Sequence, residues 1–113
     1  MLGSEYQKAA MKFASPLSTA TPEMLMLQGV MGMNGEAGEA IDLVKKFIFH
    51  GHKLDKEHLA KELGDVLWYV ATCAEALGYS LDVIMKMNID KLAARYGEAF
   101  DSEKSQHRKE GDV

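Results

Sequence analysis

Residues 55–78 read DKEHLAKELGDVLWYVATCAEALG, and this stretch decides the fold class. Its apolar positions Leu59, Leu63, Val66, Leu67, Val70, Ala74 and Leu77 step mostly by three and four, the period of one face of an α-helix. Asp55 stands where an N-cap belongs, and Gly78 where a helix end needs a residue tolerant of left-handed backbone. Working outward, Thr21 and Pro22 supply an N-cap and a first helical residue, opening a helix expected to run to about His50 with Gly51 as its stop. Ser80 starts another, with Leu81, Ile84, Met85, Leu92 and Tyr96 inward and Gly97 at its end. Near the N-terminus, Ser4 and Gln7 have the spacing of a capping box, so a short helix is expected from about Glu5 to Ala14 before Ser15-Pro16 breaks it. No stretch alternates apolar and polar residues. The expected architecture is therefore all-α, an antiparallel four-helix bundle over residues 1–100, with residues 101–113 as a mobile polar tail that lacks any apolar period.

The chain has 113 residues, 47% of them hydrophobic, enough for one domain that buries about two-thirds of its unfolded surface. Long helices in so small a chain often complete their core across a subunit interface, so a homo-oligomer is expected. A formal charge of −4 argues against an extended nucleic-acid surface, which rests on many Lys and Arg contacts to phosphate. No segment approaches the roughly 20 apolar residues of a membrane span. The single cysteine, Cys73, lies in an apolar run; with no partner for a disulfide it suits a reducing cytoplasm and needs no role beyond packing.

The second helix is unusual in carrying Gly29, Gly32, Gly35 and Gly38 at every third position, each costing about 1 kcal/mol relative to alanine. Close approach of another backbone, or a kink between Val30 and Gly35, would account for them. Met24, Met26, Met31 and Met33 nearby read as adaptable packing.

Glu36 and Glu39 lie three apart on this helix, and Glu62 and Asp65 three apart on the next, so each pair projects from one face. The short connection through Gly51–Leu54 makes the helices antiparallel neighbours and lets the pairs meet. Singly, each pair reads as a solvated charged face. Together, four carboxylates at the margin of a core would raise one another's pKa values unless a cation intervened. All-oxygen ligands suit a hard ion, Mg²⁺ first and Mn²⁺ as a substitute. A di-iron centre is disfavoured, because no histidine follows any of these acids by three residues. His50, His52, His58 and His107 read as solvated or capping residues near loops and helix ends.

The motifs Gly35-Glu-Ala-Gly-Glu39, Glu62-Leu-Gly-Asp65 and Asn88-Ile-Asp-Lys-Leu-Ala-Ala-Arg-Tyr96 resemble those of the MazG-like all-α nucleoside triphosphate pyrophosphohydrolases, over roughly Tyr6–Phe100. The pattern is E-x-x-E, a spacer and E-x-x-D, and the spacer of 22 residues here is of a length the family accepts. The resemblance implies hydrolysis of a (deoxy)nucleoside triphosphate to the monophosphate and pyrophosphate. It implies Mg²⁺ held by Glu36, Glu39, Glu62 and Asp65, a homodimer or homotetramer, and a role in nucleotide-pool house-cleaning of the kind some relatives have. Asn88, Lys91 and Arg95 form a polar stripe able to hold phosphate or sugar oxygens, although Lys91 and Arg95 also read as exposed helix-end cations. Lys46 is a further phosphate candidate with an equally ordinary reading as a solvated helix-end lysine. Tyr69 shares the face of Glu62 and Asp65 and could stack on a base, while Trp68 reads as core or interface. Two alternatives differ in function: a noncatalytic nucleotide-binding or helical interaction protein, and a phosphoribosyl-ATP pyrophosphohydrolase.

Overall fold

The computed structural model describes residues 1–113. It contains five helices and no strand: α1 (Gly3–Met11), α2 (Pro22–Phe49), α3 (Lys56–Leu77), α4 (Leu81–Tyr96) and α5 (Ser102–Gln106). The all-α class agrees with the sequence reading, and three caps fall where the sequence places them. Thr21 Oγ1 accepts from Met24 N at 3.1 Å, Asp55 Oδ1 from His58 N at 2.9 Å, and Ser80 Oγ from Val83 N at 3.2 Å. Each satisfies one of the N–H groups that a helix start leaves unpaired.

The first helix starts earlier than expected, and the reason is tertiary. Asp82, in the first turn of α4, accepts from Gly3 N at 3.1 Å and from Ser4 N at 3.0 Å, so a carboxylate from another helix caps α1 in place of Ser4. Gln7, the expected partner in a capping box, is buried. Its amide donates to Glu75 and to the Tyr79 carbonyl and accepts from Leu81 N at 2.7 Å. One side chain thus ties α1 to the turn between α3 and α4. Trp68 adds a second tie, its indole N–H donating to the Ala10 carbonyl at 3.0 Å.

The long pair α2 and α3 is the backbone of the fold, and α2 runs unbroken through its glycines. Close approach explains Gly29: a β-carbon there would lie 3.0 Å from Cys73 Cβ and from Cys73 N, and 3.1 Å from the Tyr69 carbonyl. Gly32 faces the Tyr69 ring. Gly35 and Gly38 have no neighbour within 4 Å of such an atom, so within one chain nothing offsets their cost to the helix.

Packing elsewhere is sparse. α4 lies against α1 and α3 and not against α2, so a single chain does not close the expected bundle. Only 10 of 113 residues are buried, and the apolar centre is Ala71, Ala74 and Leu81, flanked by Tyr6, Val70 and Ile84. The radius of gyration of 17.0 Å exceeds the value of about 13 Å usual for this length. Leu63, Leu67 and Leu77, inward by the helical period, stand exposed. The seam with α2 passes instead through Glu62, Tyr69 and Cys73, and α1 and α4 cover the side of Ala71 and Ala74, so the stripe of Leu63 and Leu67 is left without a neighbour in one chain.

The polar C-terminal segment, expected as a mobile tail, carries α5 and returns to α4. Arg95 Nε and Nη2 each donate to Asp112 at 2.9 Å, a paired geometry that holds the segment end to the helix. No helix is long and apolar enough to cross a membrane.

Candidate metal centre

Antiparallel pairing brings the acids of α2 beside those of α3. One carboxylate oxygen each from Glu36, Glu62 and Asp65 lies within 4.8 Å of the others. Glu62 is 6% exposed, Glu36 half-buried and Asp65 exposed, so the cluster grades from the helix seam out to solvent. Glu39 stands outside this trio and is exposed, although its charge still reaches Glu36.

The crowding has an electrostatic signature. A contact with Glu62 in which one carboxyl keeps its proton, then burial, then the charges of Glu39, Asp65 and Glu62, push Glu36 up to about 7. Repulsion of this kind is relieved when a cation replaces the shared proton. Glu62 supplies an independent sign of the same need. Its Oε2 is buried with no hydrogen-bond partner, an arrangement that is costly for a carboxylate oxygen. Its other oxygen, Oε1, lies 3.2 Å from His58 Nε2. The donor set therefore fits a hard divalent cation: oxygen ligands only, one of them oriented by a neighbour and left with an unengaged oxygen.

His58 is the residue that sequence reading passed over. Its place near a helix start reads as solvated or capping, yet it precedes Glu62 by four residues, the spacing that stacks side chains on one helical face. That spacing was the available signal.

The expected substrate contacts are distributed unevenly. Tyr69 lies one turn beyond Asp65, edge-on to Trp68 with ring centroids 5.1 Å apart, and lines a cleft beside the acids. Lys46 is paired with Asp42 at 2.8 Å, and Lys46 and then Lys45 hold the Asp42 carboxyl below its usual range. Asn88 and Lys91 are exposed on α4, which does not touch α2 within one chain, and Arg95 is engaged by Asp112. The stripe and the acids are thus not brought together in a single copy.

Comparison with known proteins gives the family. The MazG nucleotide pyrophosphohydrolase domain matches residues 26–100, which include all four acids, and the chain belongs to that family. Membership points to nucleotide pyrophosphohydrolase chemistry. Among curated proteins, the chain is 39% identical over 69 residues to the "Gene 37 protein" of Mycobacterium phage L5. The shared region covers 58% of this chain and 60% of that relative. No solved structure gives a significant match.

Proposed function

We propose that the protein hydrolyses a (deoxy)nucleoside triphosphate to the monophosphate and pyrophosphate, with Mg²⁺ held by Glu36, Glu62 and Asp65 and with Glu39 beside them. The observation that carries this reading is the trio of converging carboxylate oxygens from Glu36, Glu62 and Asp65, with Glu62 Oε2 left without a partner. When bound, the cation neutralises phosphate oxygens and makes phosphorus more electrophilic. The chain's own residues do the rest. Glu62, fixed by His58, and Asp65 set where the triphosphate docks against α3, and Glu36 does the same from α2. Glu39 is exposed and outside the trio, which leaves its carboxylate able to take the proton of the attacking water. That water forms a bond to the α-phosphorus as the bond to the bridging oxygen breaks, and pyrophosphate departs with the released electron pair.

A homodimer or homotetramer is part of the proposal. Ile41, Phe47, Ile48, Leu63 and Leu67 are exposed on α2 and α3, a larger apolar surface than a lone soluble domain ordinarily leaves open. A second copy would cover it and could bring the unpaired Asn88 and Lys91 of its α4 to the phosphates. Tyr69 is the aromatic contact available within the same chain. House-cleaning of noncanonical nucleotides in the cytoplasm is the physiological role in keeping with this chemistry.

The test is a panel of canonical and modified NTPs and dNTPs with Mg²⁺ or Mn²⁺, with products identified. Pyrophosphate release from at least one, lost in Glu39→Gln and in Asp65→Asn with helicity intact, is expected. Full activity in both variants would overturn the site assignment. Nucleotide binding without turnover across the panel would favour a noncatalytic sensor, and turnover confined to phosphoribosyl-ATP would move the substrate to that compound.

A further inference from the structure

Beside the acids, the seam between α2 and α3 opens into a cleft of about 440 Å³. Its walls are apolar, with Leu17, Leu27 and Met31 on one side and the Tyr69 ring on the other. The cleft continues the acid cluster along the seam. Gln28, Gly32 and Glu36 follow one another by four on α2, and Tyr69 follows Asp65 by four on α3, so each step is one helical turn away from the carboxylates. Gln28 lies about 12 Å along the helix axis from Glu36, a reach comparable to that between a nucleobase and its phosphate chain. Gly32 is what admits the ring, since a β-carbon there would collide with Tyr69.

One polar group in this wall is unexplained by the fold. Gln28 Oε1 is buried and has no hydrogen-bond partner, whereas Ser18, the other short polar residue of the cleft, is engaged with Ser15 Oγ at 2.7 Å. A buried carbonyl without a donor is costly. The terminal torsion of glutamine is soft and roughly two-fold, so a half-turn presents to the cleft either the carbonyl or the NH₂. A ligand whose edge carries an N–H or an acceptor would meet whichever end of the amide is turned toward it.

We propose that this cleft receives the base of the nucleotide, that the Gln28 amide reads the base's hydrogen-bonding edge, and that Tyr69 forms the flat wall against the ring. The proposal rests on the reading of Glu36, Glu62 and Asp65 as the triphosphate site, and adds to it the residue that determines base preference. Apolar walls exclude competing water, and under that condition one amide can discriminate between bases. Gln28→Met keeps length and bulk while removing both hydrogen-bonding ends. It leaves no orphaned carbonyl and is compatible with folding.

The test has two arms. In the first, kcat/KM is measured for dCTP, dUTP, dATP and dGTP with the wild-type protein and with Gln28→Met and Gln28→Glu. The expected result is a wild-type preference that Gln28→Met compresses at least tenfold. Gln28→Glu, an acceptor with no donor, should shift preference toward guanine, whose ring N–H and amino group set two donors side by side. Turnover with the same base ratios in all three proteins would overturn the proposal and leave the pyrophosphohydrolase reading standing. In the second arm, binding of dCMP, dUMP, dAMP and dGMP is followed by NMR without any need for turnover. Base-dependent shifts of Tyr69 and Met31 signals that vanish in Gln28→Met would support the base site even if no triphosphate were hydrolysed. Signals that ignore the monophosphates and instead change with protein concentration would assign the cleft to a second copy of the chain and overturn the proposal.

Discussion

Replacing Gly29 by alanine sets two calculable effects against each other. In a helix interior alanine gains about 1 kcal/mol over glycine. Against that, the new β-carbon would meet Cys73 Cβ and Cys73 N at 3.0 Å and the Tyr69 carbonyl at 3.1 Å. Two of the three atoms are α3 backbone, so no side-chain rotation relieves the contact, and the helices must separate by a few tenths of an ångström. Overpacking of this kind costs about 1–3 kcal/mol, which leaves Gly29→Ala between neutral and about 2 kcal/mol less stable. Gly38→Ala, which meets nothing within 4 Å, keeps the helical gain and is expected to be about 1 kcal/mol more stable. At about 4–8 °C per kcal/mol in a small domain, the two variants should part clearly in thermal or urea unfolding followed by circular dichroism at matched protein concentration. Glu36 lies two turns beyond Gly29, so the separation should also weaken Mg²⁺ binding in titration calorimetry. A Gly29→Ala protein as stabilised as Gly38→Ala would refute the argument that backbone approach selects glycine at position 29.

Other outcomes follow from the same site. His58→Ala should weaken divalent-cation binding about tenfold or more and leave helicity unchanged, as read by calorimetric titration; unchanged affinity would mean that His58 does not orient Glu62. The raised Glu36 pKa sets a pH dependence. Its folded value of about 7 lies above the unfolded one, so the cation-free protein keeps this contribution to stability at low pH and loses it as pH rises through 7. A bound cation cancels the loss, and EDTA should therefore lower the melting temperature more at pH 8 than at pH 5. Asp112→Asn breaks the pairing with Arg95 and should speed protease cleavage of residues 101–113 without shifting the main unfolding transition. Because Arg95 holds the Asp112 carboxyl below its usual range, the wild-type tether should persist at pH 5 and loosen only as pH falls below the ordinary carboxylate range.

The sequence made most of the local structure legible. Thr21, Asp55 and Ser80 are local caps whose partners lie three residues away, so their reading needs no knowledge of the tertiary fold. Where a cap came from afar, as Asp82 does for α1, the local signal at Ser4 misled. The acid pairs were readable because their spacing repeats on two helices joined by a short turn. The grading within them was not, because which carboxylate is buried depends on the rotation of α3 about its axis. That rotation is set by contacts between Gly29, Cys73 and Tyr69. It leaves Leu63 and Leu67 outside, against the reading of a single apolar face. The distance of Asn88 and Lys91 from the acids was equally invisible, since helical spacing describes a stripe and not the direction in which its helix departs.

All four acids lie on one helical hairpin, between residues 36 and 65, and this has a consequence for how the chain folds. Local contacts form early in helical proteins, so the like charges of α2 and α3 must approach one another while little else is in place to hold them. The docking of the two helices is then slowed by the same repulsion that equips the site for a cation. Divalent ions, or mild acid that lets Glu36 keep its proton, should lower that barrier and quicken refolding, so the cation proposed for these acids would also assist their assembly.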